Sequence, residues 1–158
     1  MTPAPTTERN QPPWYAAGLR FECTNCGNCC TGAPGYVTFT TAEAKAMASA
    51  LAITEDAFHE HYTRDTPAGR SLTETETQFG HDCVFLDRQT QPGKALCRVY
   101  KARPAQCRTL PFWKSNLKTQ NHWKRAKQTC PGMDQGPLHD LDHIELTVSI
   151  DTEAARNA

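Results

Sequence analysis

Half of the eight cysteines in this chain lie within one short stretch, Phe21-Glu22-Cys23-Thr24-Asn25-Cys26-Gly27-Asn28-Cys29-Cys30-Thr31-Gly32. Cys23 and Cys26 are spaced so that one tight turn can aim both sulfurs at one ion, as thiolate pairs do in zinc and iron sites. Gly27 follows, and glycine takes at little cost the positive φ that turns backbone N–H groups toward sulfur. Cys29 extends the spacing to Cys-x-x-Cys-x-x-Cys, a run found in iron–sulfur ferredoxins. The stretch therefore predicts a metal-binding loop, with buried thiols or disulfides as the alternative.

Cys30 fits a single ion less readily, because adjacent side chains usually diverge. We expect it to serve a second site, to act in reserve or to pack in the core. Eight thiolates suffice for two four-sulfur sites, or for one cluster site with spare thiols. In the preferred division, the first site contains Cys23, Cys26 and Cys29, completed by either Cys107 or Cys130. The second site contains Cys30, Cys83 and Cys97, completed by the other of Cys107 and Cys130. The alternative for the later cysteines is burial as small apolar side chains.

Zinc and iron would use these thiolates differently. A zinc ion with four sulfur ligands is closed to substrates and has a structural role. A [4Fe–4S] cluster on the same thiolates could transfer electrons, and the Cys130-Pro131 pair also resembles ferredoxin sequences. The predicted function is metal binding with zinc or iron as cofactor. The alternatives are an iron–sulfur redox protein or enzyme and a nucleic-acid-associated zinc module.

The composition indicates one loop-rich domain. Hydrophobic residues make up 38% of the 158 residues, beside eleven prolines and nine glycines, so a bound metal would help to stabilise a small core. No apolar run approaches the ~20 residues of a membrane helix, and residues 1–20 lack the apolar segment of a secretory signal. We therefore expect a cytoplasmic protein that does not bind membranes. Clustered cysteines are ligands more often than disulfides in that reducing compartment.

Positive charge is concentrated in one segment, although the net charge is zero. Residues 88–127 contain eleven Lys or Arg and no Asp or Glu. A divalent ion with four thiolates keeps a charge of about −2 by valence counting, which nearby cations would offset. Arg98, Arg103 and Arg108 flank two of the cysteines, and we expect them to donate to sulfur or to screen its charge. Ordinary pairing with carboxylates is the alternative.

The same segment suggests an anionic partner, because two metal sites would leave much of its positive charge unbalanced. Residues 113–127 mix cations with aromatic rings, a composition typical of nucleic-acid surfaces. An amphipathic helix with a basic, solvated side explains this composition equally well. The sequence gives no indication of protein partners.

Periodicity and turn residues predict a small α+β domain with a short β-hairpin and several helices around the cysteines. Expected helices cover about 41–51, 54–63, a turn after Pro104 and 114–128, and a last helix or extended segment covers about 138–150. Expected strands cover 36–39, 73–79, 83–86 and 95–99. The last two strands should form a hairpin that brings Cys83 toward Cys97. Residues 1–18 are expected to form a flexible arm, 19–150 the cysteine-cluster metal-binding domain and 151–158 a flexible tail.

Four cysteine-containing blocks occur in order over roughly residues 20–135. They are Phe21-x-Cys23-x-x-Cys26-Gly27-x-Cys29-Cys30-x-Gly32, Cys83-Val84-Phe85-Leu86, Cys97-Arg98-Val99-Tyr100-x-x-Arg103-Pro104-x-x-Cys107-Arg108-x-x-Pro111-Phe112 and Cys130-Pro131-Gly132. Together they resemble the YkgJ-type cysteine-cluster (CxxCxxCC) family, a zinc- or iron-chelating domain. The resemblance implies metal binding by these cysteines, with zinc or iron unresolved. Flagellin lysine methylases carry a similar cysteine block, so the resemblance also allows enzyme chemistry around it.

Overall fold

The computed structural model describes residues 11–158, and residues 1–10 of the predicted arm lie outside the described part. The helices are α1 (Thr41–Ala50), α2 (Glu55–Tyr62), α3 (Ala105–Thr109), α4 (Lys114–Leu117), α5 (Gln120–Lys127) and α6 (Leu141–Asn157). The strands are β1 (Leu19–Phe21), β2 (Thr63–Thr66), β3 (Gly69–Leu72), β4 (Glu74–Thr77), β5 (Gly80–Cys83), β6 (Leu86–Asp87), β7 (Leu96–Cys97) and β8 (Met133–His139). This mixture confirms the predicted small single-domain α+β fold.

Each strand of the described residues belongs to a two-stranded antiparallel sheet. Three of these sheets, β2–β3, β4–β5 and β6–β7, join strands that are neighbours in sequence. In the fourth sheet β1 pairs with β8, and Leu19 lies opposite His139. This long-range pairing brings the start of the cysteine-rich stretch beside the segment that follows Cys130.

Local capping explains where the first two helices begin. The Thr40 hydroxyl accepts a hydrogen bond from the backbone N–H of Glu43, and the Glu43 carboxylate accepts one from the Thr40 N–H, which forms a capping box. Thr54 caps α2 in the same way by accepting from Ala57 N at 3.1 Å. Both helices therefore form within a residue or so of their predicted bounds.

Two clusters of buried side chains stabilise the fold. The first core contains Phe39, Ala44, Met47, Ala48, Phe58, Leu72, Phe85 and Val99. The second core contains Phe112, Leu117, Trp123, Met133 and Ile144. Cys83 and Cys97 pack against the first core, whereas Cys130 packs against the second. Three of the cysteines therefore pack against the cores, two against the first and one against the second.

Trp14 attaches the segment before β1 to the second core. Its indole N–H donates to the carbonyl of Leu117 at 2.7 Å, and its ring meets Trp123 edge-on with centroids 6.2 Å apart. An indole both satisfies its one donor and buries a large apolar surface in such a position. This segment is therefore part of the packed structure from Trp14 onward.

Some predicted elements differ from the observed ones. The strand predicted over 83–86 does not form as one element, because β5 ends at Cys83 and β6 begins at Leu86. Residues 36–39 do not form a strand, since their one ladder contact is an isolated bridge between Thr38 and Ser71. The basic helix expected over 114–128 is divided into α4 and α5, because the Thr119 hydroxyl accepts from His122 N and caps a new helix.

The C-terminal part also differs from expectation. The segment predicted over 138–150 as a helix or an extended segment contains both. β8 ends at His139, and α6 begins at Leu141 because Asp140 caps it by accepting from His143 N at 2.9 Å. α6 then continues to Asn157, beyond the predicted end. Within residues 11–158, no helix combines the length and apolar character that crossing a membrane requires.

Candidate metal centre

Residues 21–32, hereafter the cysteine loop, turn sharply at Gly27. Its φ of 76° confirms the predicted positive φ, and a Cβ added there would lie 2.5 Å from the Cβ of Ala95. The chain then makes a 3-10 turn over Asn28–Cys30, closed by a hydrogen bond from Cys30 N to Gly27 O at 2.9 Å. Glycine is required at this position both for its backbone conformation and for the space.

One side of the cysteine loop is fastened to the segment around Cys130. The side-chain amide of Asn28 donates to the carbonyl of Thr129 at 3.0 Å, and Glu22 N donates to Gly132 O at 3.1 Å. The backbones approach so closely that a Cβ at Gly132 would overlap the carbonyl of Glu22. These contacts place Cys130 beside the cysteine loop, although the two are far apart in the sequence.

The other side of the loop is fastened to the turn between β6 and β7. Ala95 N donates to the carbonyl of Asn25 at 2.8 Å, and the ammonium of Lys94 donates to the carbonyl of Thr24 at 3.2 Å. Cys97 follows at the end of β7. The loop is therefore held between the Cys130 segment and the strands that carry the remaining cysteines.

A first cavity of about 280 Å³ opens between the loop and the Cys130 segment. Four cysteines line it, namely Cys23, Cys26, Cys29 and Cys130. Its apolar wall consists of Phe21, Leu110, Pro111, Trp113, Ala126 and Met133. Of the two cysteines considered from sequence as the fourth member, Cys130 is the one that lines this cavity.

A second cavity of about 60 Å³ lies on the first-core side of the loop. Cys30, Cys83, Cys97 and Cys107 line it, and Cys23 and Cys29 also reach it. Cys83 ends β5, Cys97 ends β7 and Cys107 lies in α3. Cys83 and Cys97 are thus brought together as expected, although Cys83 faces Glu74 in its own sheet and Cys97 faces Leu86.

Cys29 and Cys30 do not diverge. Their Sγ atoms lie 3.5 Å apart, so the sequence-based argument that adjacent cysteines point away from each other is wrong here. The 3-10 turn after Gly27 brings the two side chains together. The contact between the two thiols lowers the pKa of Cys29 to about 7, and the same contact together with burial raises the pKa of Cys30.

Burial raises the pKa of four further thiols. It raises the pKa of Cys83 to about 11 and that of Cys107 to about 12, and it raises those of Cys97 and Cys130 as well. Neighbouring sulfurs act in the same direction, because several thiolates cannot easily carry charge side by side. A metal ion that binds here must therefore displace protons from the buried thiols.

The three arginines selected from the sequence have different surroundings. Arg103 lines the second cavity, its guanidinium stacks over the Tyr100 ring at 3.9 Å, and its charge lowers the pKa of Cys29. Arg108 lies 3.8 Å from the Glu43 carboxylate and donates to Arg103 O, which corresponds to the alternative of carboxylate pairing. Arg98 is exposed, and its backbone N–H donates to the carbonyl of Phe85 at 2.9 Å. Arg103 is thus the arginine best placed to act on the thiols.

Asp82 links two cysteine-containing segments, and this role was not predicted from the sequence. Its buried carboxylate accepts two hydrogen bonds from Arg88, at 2.9 and 3.1 Å, and a third from the hydroxyl of Thr31. Thr31 follows Cys30, and Asp82 precedes Cys83. The sequence feature that could have indicated this role is an acidic residue directly before a cysteine, with an arginine six residues after the acid.

The donor set suits zinc or iron. Thiolates are the ligands that structural zinc and iron–sulfur clusters use, and all eight thiols are free of disulfides. Within residues 11–158, no three Cys, His, Asp or Glu side chains are already grouped closely enough to hold one metal ion. Binding would therefore draw the sulfurs of each cavity inward.

Comparison with known families agrees with this chemistry. Residues 22–131 match a family described as "CxxCxxCC: Putative zinc- or iron-chelating domain". The chain belongs to this CxxCxxCC family. All eight cysteines lie within the matched residues, so the match covers both cavities. A search of solved structures found no match.

Proposed function

We propose that this CxxCxxCC protein binds metal at two four-thiolate sites. The loop group comprises Cys23, Cys26, Cys29 and Cys130, and the core group comprises Cys30, Cys83, Cys97 and Cys107. The observation that carries the proposal is that two cavities border the cysteine loop. Of the two, Cys26 and Cys130 line only the first, Cys30, Cys83, Cys97 and Cys107 line only the second, and Cys23 and Cys29 border both. Four sulfurs complete the coordination of a tetrahedral ion, so each group is sufficient by itself.

The two groups would stabilise the fold in which they lie. Each joins segments that are far apart in sequence, and the loop group links the cysteine loop to Cys130 on the second core. Metal coordination favours the folded chain, because the unfolded chain does not offer preassembled ligands. Free thiols of this kind suit a reducing compartment, which supports a cytoplasmic location.

The first cavity favours an iron–sulfur cluster over a single ion in the loop group. Its volume of about 280 Å³ and its apolar wall leave room for a group of several atoms, whereas the second cavity measures about 60 Å³. Apolar surroundings and limited solvent access are among the features by which proteins tune cluster potentials. An iron–sulfur redox role would follow from a cluster in the loop group, with a single ion in the core group.

Metal content and absorbance test the proposal directly. The protein is purified anaerobically and aerobically, and its zinc, iron and acid-labile sulfide are measured. We expect metal at both groups in the anaerobic sample, with visible absorbance if the loop group holds a cluster and none if both groups hold zinc. A folded, fully reduced protein that neither contains metal nor takes it up would contradict the proposal.

Paired variants test the division into two groups. The double variant C26S/C130S removes two loop-group ligands, and C83S/C107S removes two core-group ligands. Each variant should lose the metal of its own group and retain that of the other. Loss of all metal from both variants, with the fold preserved by circular dichroism, would instead indicate one shared site.

Binding of an anionic partner is a second candidate function. Four exposed cations lie on or beside α4 and α5: Lys114 on α4, Lys118 directly after it, and Lys124 and Arg125 on α5. The positive charge of Lys127 is paired within the chain, because its ammonium lies 3.0 Å from the Asp134 carboxylate. A row of solvated cations on two consecutive short helices can contact phosphates without reading sequence. We therefore propose that this surface also binds nucleic acid.

Salt dependence distinguishes nucleic-acid binding from an ordinary solvated surface. K124E/R125E is compared with K45E, which changes an exposed charge on α1. Binding to single- and double-stranded oligonucleotides, followed by fluorescence anisotropy, should weaken with salt and be lost only in K124E/R125E. Absence of binding at low salt would exclude this second function while leaving metal binding untouched.

A further inference from the structure

The geometry points to Cys29 as a thiolate shared between the loop group and the core group, so that the two metal sites form one bridged centre. This inference rests on the proposed two-group function and goes beyond it, because two separate sites need no common ligand. Two observations and one charge argument support it. The Sγ of Cys29 contacts a core-group sulfur, its side chain lines both cavities, and a shared sulfur lowers the negative charge of the bound centre.

The contact with Cys30 has the length of a coordination edge. Sulfurs bound to one tetrahedral ion at about 2.3 Å lie roughly 3.8 Å from each other. The observed Cys29–Cys30 separation of 3.5 Å is close to this value. Both sulfurs can therefore bind the same core-group ion with little movement.

The position of Cys29 serves the loop group equally well. The same side chain lines the first cavity together with Cys26 and Cys130. Cys23 also borders both cavities, and its sulfur accepts a hydrogen bond from Asn25 N at 3.4 Å. Of these two cysteines, Cys29 is the one whose sulfur contacts a core-group sulfur.

A shared thiolate also reduces the charge that the protein must accommodate. In the bridged centre Cys29 and Cys30 bind the core-group ion together with two of Cys83, Cys97 and Cys107, and the third of these keeps its proton. Eight thiolates with two divalent ions carry about −4 by valence counting, whereas the seven thiolates of the bridged centre carry about −3. Each thiol that binds releases its proton to water, and no electrons are transferred. Arg103, which borders the second cavity, is the nearby cation available to offset the remainder.

Cadmium-113 NMR of the full-length protein tests the bridge without any substitution. The metal-free, reduced protein is loaded with two equivalents of ¹¹³Cd²⁺, which accepts the same tetrahedral thiolate ligands as zinc. We expect two resonances, each split by the other, because a sulfur common to two cadmium ions transmits spin coupling between them. Two bound resonances without mutual splitting would overturn the bridge and leave the two-group proposal intact. Uptake of fewer than two ions would overturn the two-group proposal itself.

Two matched serine variants identify the bridging residue. C29S should abolish the mutual splitting, whereas C23S should retain it, since Cys23 belongs to the loop group alone in this arrangement. Retention of the splitting in C29S, or its loss in C23S with both ions bound, would assign the bridge to another sulfur and overturn the inference. If C29S does not fold, the wild-type spectrum still decides whether a bridge exists.

Discussion

Arg88 holds both carboxylate oxygens of Asp82, with its Nε 2.9 Å from Oδ2 and its terminal nitrogen 3.1 Å from Oδ1. The planar fork of a guanidinium matches a carboxylate in this two-point geometry. Since Asp82 also accepts from Thr31, the pair fixes the end of the cysteine loop against β5. The second cavity thus depends on a charged contact outside the thiols themselves.

D82N should destabilise the protein by about 3 kcal/mol at pH 7, because it leaves the Arg88 charge without its partner in a largely buried place. D65N is the control, since Asp65 and Arg70 form a comparable pair with Asp65 exposed, and it should have little effect. Urea unfolding of the metal-free proteins measures both. An equal loss in the two variants would contradict the structural role of Asp82.

The same pair predicts a dependence on pH. Hydrogen bonds from Arg88 lower the pKa of Asp82, so its folded-state pKa lies below the unfolded value of about 3.9. The stability that the pair contributes is therefore present above that pH and lost as the pH falls through the folded pKa. The unfolding curves of wild type and D82N should converge in acid. A constant difference from pH 7 down to pH 2 would be inconsistent with this.

G27A should cost about 2 kcal/mol or more from left-handed backbone strain, with the contact against Ala95 in addition. Gly93 provides a matched control, because its φ of 78° is nearly the same but an added Cβ there meets no atom within 4 Å. G93A therefore measures the backbone term alone. We expect G27A to be the less stable variant and to bind zinc more weakly in competition with a chelator. Equal effects would mean that the close approach to Ala95 is unimportant.

Removal of the Trp14 side chain should loosen the second core. W14F keeps an aromatic ring but loses the hydrogen bond to Leu117 O, and should cost about 1 kcal/mol. W14A also leaves a cavity beside Trp123 and should cost about 3 kcal/mol or more. Thermal unfolding of the two variants separates the contributions. A W14A protein as stable as W14F would show that the ring does not pack there in solution.

Metal uptake should release protons and strengthen as pH rises. Burial raises the pKa of Cys83 to about 11 and that of Cys107 to about 12, so these thiols are protonated at neutral pH in the metal-free protein. Each should release nearly one proton on binding, whereas Cys29, whose pKa is lowered to about 7, should release fewer. Calorimetry of zinc binding in buffers of different ionisation enthalpy gives the proton count. Uptake without proton release would contradict thiolate coordination.

Features set by local chemistry could be predicted from the sequence. Gly27 has the expected positive φ, Thr40 and Thr54 begin the expected helices, and the short helix after Pro104 carries Cys107 as anticipated. In each case a few neighbouring residues determine the backbone. The family resemblance depended equally on cysteine spacing that is visible in the chain.

Features set by distant contacts could not be predicted. β1 has three residues and β8 contains glycine and proline, so neither shows the alternation that predicts a strand, and each forms because the other is present. The Cys29–Cys30 contact depends on a 3-10 turn that follows Gly27, which the spacing alone did not specify. Cys130 rather than Cys107 lines the first cavity, and its position follows from the close approach of the backbone at Gly132 to Glu22. A contact between residues so far apart in sequence could not be predicted.

The separation of the two cores has an optical consequence. All three tryptophans lie on one side of the molecule, with Trp14 and Trp123 at the second core and Trp113 on the wall of the first cavity. Tryptophan emission, excited at wavelengths that tyrosine does not absorb, therefore monitors mainly that half, and an iron-containing loop group would quench it by energy transfer. Metal binding at the core group would change tryptophan emission little. The order in which the two sites bind metal could therefore be followed in real time without an attached dye.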